Sequence, residues 1–245
     1  MLDVIFPGLC FACESVSKNG WVCDLCLRDI KFLGDGFICS CCGVPFDLAE
    51  QPKTNCYSSP ENSTYKHLCG RCLLGEFYFE KARSVAFYDG LLRDILHKFK
   101  YHGKLSAVGF LSAILIENFP EDLDPPDLVI PVPLFIDRLR KREYNQAVIL
   151  GECIADYLGV PLDPFLLRRI RDTKPQFEIK GDKEKVENIK GAFSITDFDK
   201  IEGKAVLVVD DIFTTGSTLN ECTRVLQHAG AFRVQALTLM RAVQS

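Results

Sequence analysis

Val206-Leu207-Val208-Val209-Asp210-Asp211-Ile212-Phe213-Thr214-Thr215-Gly216-Ser217-Thr218-Leu219 is the stretch on which the reading of this chain turns. Its four leading apolar residues, Val206 to Val209, predict a strand buried on both faces, as in a parallel sheet. Asp210 and Asp211 follow where that strand should emerge, and a run of hydroxyls around Gly216 comes next. From Leu219 to Leu226 the apolar spacing is helical. Strand, loop and helix in this order present backbone N–H groups to an anion at a helix N-terminus. Thr214, Thr215, Ser217 and Thr218 add hydroxyl donors, and Gly216 lets the backbone approach a ligand closely. Ionised Asp210 and Asp211 offer only acceptor oxygens, which suit sugar hydroxyls or metal-bound water. One short stretch can thus hold a phosphate and a ribose.

Other chemistries end a strand in acids. A Walker B strand needs a Gly-x-x-x-x-Gly-Lys-Ser/Thr loop elsewhere, and no segment supplies one. A signalling receiver domain needs more chain after Asp211 than is present. The bland alternative is a strand end followed by a Thr/Ser cap. Taken whole, the pattern of apolar strand, two acids, two variable residues and Thr-Thr-Gly-Ser-Thr resembles the phosphoribosyl-diphosphate (PRPP) binding motif of type I phosphoribosyltransferases.

A chain of 245 residues with 47% hydrophobic residues has room for one large domain or two unequal ones. A net charge of -4 and a pI near 5.6 argue against bulk electrostatic binding to nucleic acid, leaving room only for a local basic patch. No run reaches the ~18 apolar residues of a membrane span. Met1-Leu2-Asp3-Val4 has no basic lead, so no signal peptide and no membrane insertion are expected, and a cytoplasmic setting with reduced thiols follows.

The cysteines divide the chain. Cys10, Cys13, Cys23, Cys26, Cys39, Cys41, Cys42, Cys56, Cys69 and Cys72 crowd the first third, and only Cys153 and Cys222 lie beyond. This places a cysteine-rich module at 1–75 and a second domain at 80–245. Cys10/Cys13, Cys23/Cys26, Cys39/Cys42 and Cys69/Cys72 each form a Cys-x-x-Cys pair, and two such pairs complete a closed four-thiolate zinc site. In sequence order, the first two pairs make one structural Zn²⁺ site and the last two another. A disulfide framework is the competing reading, disfavoured in a reducing compartment. Cys41 competes with its neighbours for the second metal, but Gly43 after Cys42 favours Cys39 and Cys42. Gln51 to Tyr65 reads as an inserted loop, and His67 as exposed, not a ligand. Phe11, Trp21, Phe32, Phe37, Phe46, Tyr57 and Tyr65 suit either a small core or base stacking.

Beyond residue 80 strands and helices alternate, predicting a mostly parallel α/β sheet with helices on both faces. Expected strands lie at 83–88, 127–130, 166–170, 191–196 and 232–239. Expected helices lie at 91–99, 105–119, 146–158 and 219–229. Pro131 and Pro133 should stop the second strand near Ile130. Arg138, Arg140, Lys141 and Arg142 follow, a cluster suited to a polyphosphate or to a solvated helix face. The polar stretch 172–190 reads as a lid or a surface loop. Cys153 and Cys222 read as buried small residues on helices.

Tyr88-Asp89-Gly90, Leu92-Arg93, Lys100-Tyr101-His102-Gly103, Pro131-Val132-Pro133-Leu134 and Arg142-Glu143-Tyr144-Asn145-Gln146-Ala147, with the paired cysteine sites ahead of them, resemble the ComF family of competence proteins. The resemblance spans essentially the whole chain. It departs at Glu143, where the family has Gly, at Tyr144, where it has Phe, and at Lys185, where it usually has Arg. It implies a double zinc ribbon ahead of a type I phosphoribosyltransferase-like domain that binds PRPP with Mg²⁺. Asp210, Asp211, Thr214, Thr215, Gly216, Ser217 and Thr218 are then the ligand-binding residues, with the two acids in the catalytic position. Val132, Pro133 and Arg142 face the diphosphate. Gln176, Lys185 and Asn188 belong to a flexible loop that closes over PRPP. The implied function is phosphoribosyl transfer to an acceptor the sequence does not name, in a protein linked to DNA uptake. The alternative is a non-catalytic protein that binds single-stranded DNA or competence-machinery proteins and uses PRPP only as a ligand. Oligomeric state has no signal in the sequence.

Overall fold

The computed structural model of the chain describes residues 8–17, 21–34, 37–46, 67–101, 106–174, 178–179 and 181–242. The expected loop Gln51–Tyr65 lies outside these residues, with Cys56, and so do Gln176, His102 and Gly103.

Two short helices belong to the cysteine-rich part: α1 (Asp24–Arg28) and α2 (Gly70–Leu73). The rest alternates as expected: β1 (Lys81–Phe87), α3 (Gly90–Tyr101), α4 (Ser106–Glu117), β2 (Leu128–Pro131), α5 (Ile136–Arg142), α6 (Gln146–Leu158), β3 (Leu167–Arg169), α7 (Asp182–Ile189), β4 (Phe193–Ile195), β5 (Ala205–Phe213), α8 (Ser217–His228) and β6 (Arg233–Arg241). A four-stranded sheet runs in the order β1-β6-β5-β2, with every neighbouring pair parallel. β5, the strand read first, is central.

The period of two along β5 sorts its residues between two cores. Leu207 and Val209 join Leu237 and Leu239 of β6 and the apolar stripes of α3, α4 and α6 on one face. Val206 and Val208 join Val234 and Ala236 and the Leu219, Cys222 and Leu226 stripe of α8 on the other. In α3 the buried set is Leu92, Ile95, Leu96 and Phe99, the spacing of one helix face. Each such side chain contributes about 1.5–3 kcal/mol by leaving water.

Three details differ from expectation. β3 and β4 do not join the main sheet; they pair antiparallel as a separate two-stranded hairpin. The polar stretch between them is not all loop. It contains α7, whose Ile189 is buried against the α8 face. The stretch after Pro133, outside the expected helices, holds α5, while β2 ends at Pro131, in keeping with a stop near Ile130, since a missing N–H costs little on an edge strand.

The cysteine-rich part packs directly on the α/β part. Cys10, Val22 and Ile30 enter the core of α3 and α4, whereas Cys39 and Cys42 enter the core of α8. The outer edge of β1 is clasped between them. Leu33 donates its N–H to Val85 O at 2.9 Å, Phe87 to Lys31 O at 2.9 Å, and Ala82 to Cys41 O at 2.7 Å.

Candidate functional site

The C-terminal ends of β5 and β2 lie side by side, since Val209 pairs with Pro131 and Val132 donates to Val209 O at 2.9 Å. Parallel sheets bind ligands at this rim. Val132 and Pro133 therefore leave the sheet beside Asp210. Asn145 ties the same loop down, donating from Nδ2 to Val132 O at 2.9 Å while its Oδ1 caps α6 by accepting from Ala147 N.

Alternation sends the two acids to opposite faces of β5. Asp211 meets Lys100 from the end of α3, with Nζ to Oδ2 at 2.6 Å and side chains 17% and 13% exposed. Asp210 lies on the α8 side and accepts from Asp211 N at 2.8 Å. Burial, and then the charge of Asp211, push its carboxyl up to about 7, against the pull of Lys100 and Arg169. The rim thus holds one ion-paired acid and one that titrates near neutrality.

After Phe213 the chain turns sharply into α8. Gly216 has φ 78°, and a Cβ there would lie 2.5 Å from the Phe213 ring. Glycine is required by backbone and by space. Thr215 and Ser217 are buried and share a hydrogen bond between their hydroxyls, while Thr214 is exposed. The N-cap of α8 is Gly216, which has no side chain to offer, in contrast to Asn145 of α6; Thr215 Oγ1 instead accepts from Ser217 N at 3.4 Å. Its first-turn N–H groups and the hydroxyls around them form a cradle with positive dipole character.

The basic cluster separates. Arg138 donates to Thr173 O and lies 3.5 Å from Asp172. Arg140 and Lys141 are exposed. Arg142 reaches Gln146 Oε1 at 3.3 Å. Of these four, Arg142 is the one tied to the start of α6, directly after Asn145, which holds the Val132 loop. Arg169 on β3 also donates to Thr173, so two guanidinium groups converge at the foot of the hairpin. Of the expected loop residues, Asn188 bridges both the N–H and the carbonyl of Lys174, and Lys185 is half-buried on α7.

The thiols assemble as the spacing predicts. Cys10, Cys13, Cys23 and Cys26 form one set and Cys39, Cys42, Cys69 and Cys72 another, each with all sulfurs within 4.8 Å of one another. Cys13 and Cys23 are 3.7 Å apart, as are Cys42 and Cys69. Tetrahedral zinc with ~2.3 Å bonds needs sulfur edges of about 3.8 Å, so the residues fit the metal. A hydrogen bond from the Cys42 thiol holds Cys39 down to about 4, and the same contact pushes Cys42 up. Four thiolates need a dication between them. Cys41 stands outside the set, its thiol 3.8 Å from Phe79 O. His67 is exposed against the Phe37 ring. Cys222 is fully buried, but Cys153 is half-buried and donates to Ser112, so it is less enclosed than expected.

Two residues at the rim escaped the sequence reading. Lys100 carried a signal, since it sits in the Lys-Tyr-His-Gly run. Arg71 carried none: its Nη1 donates to Thr215 O at 3.0 Å across 144 residues of chain.

Residues 145–245 match the phosphoribosyl transferase domain family, and residues 1–73 match the double zinc ribbon domain family. Full-length relatives include the DNA utilization protein YhgH of Escherichia coli K12, 29% identical over 97% of this chain and 98% of that one. The competence protein F of Haemophilus influenzae is 28% identical over the same shares. The competence protein ComFC of Bacillus subtilis is 25% identical over 90% of this chain and 84% of its own length.

Proposed function

We propose that this chain, a double zinc ribbon joined to a phosphoribosyltransferase domain with relatives named for competence and DNA utilization, binds PRPP and transfers its phosphoribosyl group. The observation that carries the reading is the β5 rim. Two carboxylates at a strand end run into a helix start whose N-cap is Gly216 and whose first turn is lined by the buried hydroxyls of Thr215 and Ser217. In this reading Thr214, Thr215, Gly216, Ser217 and Thr218 hold the ribose 5-phosphate. Asp210 and Asp211 accept from the ribose hydroxyls, and the Val132–Pro133 loop with Arg142 faces the diphosphate. The rim's oxygen donors fit a Mg²⁺ ion that keeps waters and rides on substrate phosphates. When bound, that ion neutralises diphosphate charge. Lys100 holds Asp211 in place through its ion pair. Transfer breaks the bond from the anomeric carbon to diphosphate, which leaves with the electron pair, as a nitrogen nucleophile bonds to that carbon. Positive charge develops on the sugar, beside Asp210 and Asp211, so positioning and electrostatics do the work. Gln176, Lys185 and Asn188 belong to the segment that would close over the ligand.

Diphosphate release from PRPP, screened against a panel of bases and amines, tests transfer. Calorimetry with PRPP and Mg²⁺ tests binding. Asp211→Ala should abolish measurable affinity, and equal affinity would refute the ribose assignment.

A second reading has its own support: a protein that binds single-stranded DNA and uses PRPP only as a ligand. Phe37, 43% exposed, stands against Phe46 at 5.0 Å and His67 at 4.7 Å, and Phe32 is 37% exposed nearby in sequence. Such rings suit base stacking. Phe11 and Trp21, by contrast, pack on the core. Loss of single-strand binding in Phe37→Ala would favour this role. We divide the chain at 1–75 and 80–245, and place it in the cytoplasm, where thiolate sites persist. Among the described residues, no helix is long and apolar enough to cross a membrane.

A further inference from the structure

We propose that Arg71, inside the second zinc knuckle, is a positioning residue for the sugar-phosphate loop and aims the Gly216 N–H into the cradle. The inference rests on the reading of that loop given above. Arg71 lies between Cys69 and Cys72 on α2, so its place depends on the four-cysteine set being assembled. Three contacts fix its guanidinium. Nη1 donates to Thr215 O at 3.0 Å, Nε donates to Glu76 Oε2 at 2.6 Å, and the group lies 4.7 Å from the Phe77 ring centre.

The consequence follows from peptide geometry. All described peptide bonds are trans, so the Gly216 N–H points opposite to the Thr215 carbonyl. A donor that holds the carbonyl from behind therefore turns the N–H to the other side of the loop. A cation at the carbonyl also polarises the peptide, strengthening its N–H as a donor.

The backing is extensive. Phe77 would lie 3.0 Å from a Cβ on Gly216, so it walls the turn. The segment before β1 is fastened to α8: Asn220 accepts from Tyr78 N at 2.6 Å and donates to Glu76 O at 2.9 Å, and Gln227 donates to Tyr78 O at 2.7 Å. The other knuckle reaches the same turn through Arg241. That side chain donates to Cys42 O at 2.6 Å and lies 4.1 Å over the Phe213 ring. The first four-cysteine set packs instead on the α3 and α4 face. The two metal sites thus differ in task, and the second is part of the binding site.

The test uses the full chain with both metals, ribose 5-phosphate as the calorimetric probe, and the Gly216 amide resonance as a second readout. Arg71→Met keeps a stem over Phe77 but removes every donor. It should retain two zinc ions, weaken ribose 5-phosphate by about tenfold, the scale of one charged hydrogen bond, and shift the Gly216 amide. Arg71→Lys should recover part of the affinity. If wild type binds the probe and Arg71→Met binds it equally, with an unmoved amide, the inference is overturned while the functional reading stands. If wild type does not bind, both fall. Should Arg71→Met lose metal, Glu76→Gln loosens Arg71 from outside the knuckle. Several-fold weakening there supports the inference, and unchanged affinity overturns it.

Discussion

Glu143 ends α5 in the left-handed backbone region, with φ 67° and its side chain exposed. The run it belongs to carries Gly in the ComF family, and the backbone says why: a side chain at that φ is strained by about 1 kcal/mol. Glu143→Gly should raise unfolding free energy by at most about 0.5 kcal/mol in urea titration, since the strain relieved is largely offset by the roughly 0.5–1 kcal/mol of entropy that glycine adds to the unfolded chain. In the proposed function the exchange should change PRPP affinity little, because the carboxylate faces solvent. Asp210 offers a second residue-scale prediction. Unfolded, its carboxyl ionises near 3.8; folded, near 7, because of burial and the neighbouring Asp211. Between those values the folded state holds more protons, so stability falls as pH rises and levels off above about 7. Asp210→Asn should flatten that slope. In the proposed function, affinity for the ribose should rise as pH climbs through about 7, when Asp210 becomes a pure acceptor.

At the scale of elements, the end of α3 is set by Tyr144, whose hydroxyl makes a contact that a phenylalanine could not. Tyr144 stacks on Phe99 at 5.3 Å and donates its hydroxyl to the Phe99 carbonyl. The next residue is Lys100, which meets Asp211. Tyr144→Phe should cost about 1 kcal/mol, measured by denaturation. Lys100→Met should cost more, about 1–3 kcal/mol at pH 8, because it leaves a largely buried carboxylate without its partner. Adding Asp211→Asn should restore part of it. The elements themselves were largely legible, because β5 opens on an unbroken apolar run and α3 repeats its apolar residues at helical spacing. The antiparallel β3–β4 hairpin was not. Three-residue strands such as Phe193-Ser194-Ile195 fit either sheet, and only tertiary contacts decide. At the rim, the acids and hydroxyls could be read because they adjoin in sequence. Lys100 and Arg71 come from separate elements and are recruited by packing, as is Arg169 at the foot of the hairpin.

For the whole molecule, the cysteine-rich part and the α/β part share both cores and a set of buried arginines. Arg83, 5% exposed, donates to the carbonyls of Ser40 and Cys41 and pairs with Asp122. The chain should therefore unfold in one transition, and metal removal should lower the melting temperature of both parts together, as calorimetry with a strong chelator would show. A fragment of residues 80–245 should melt well below the intact chain, since it bares the side chains that Ile30 and Cys42 now cover. The clasp on β1 carries this further. Zinc-poor growth would leave newly made copies with a bare rank of amides along that strand, open to zipping onto one another. Insoluble protein, not merely an idle one, is the expected fate of the starved chain.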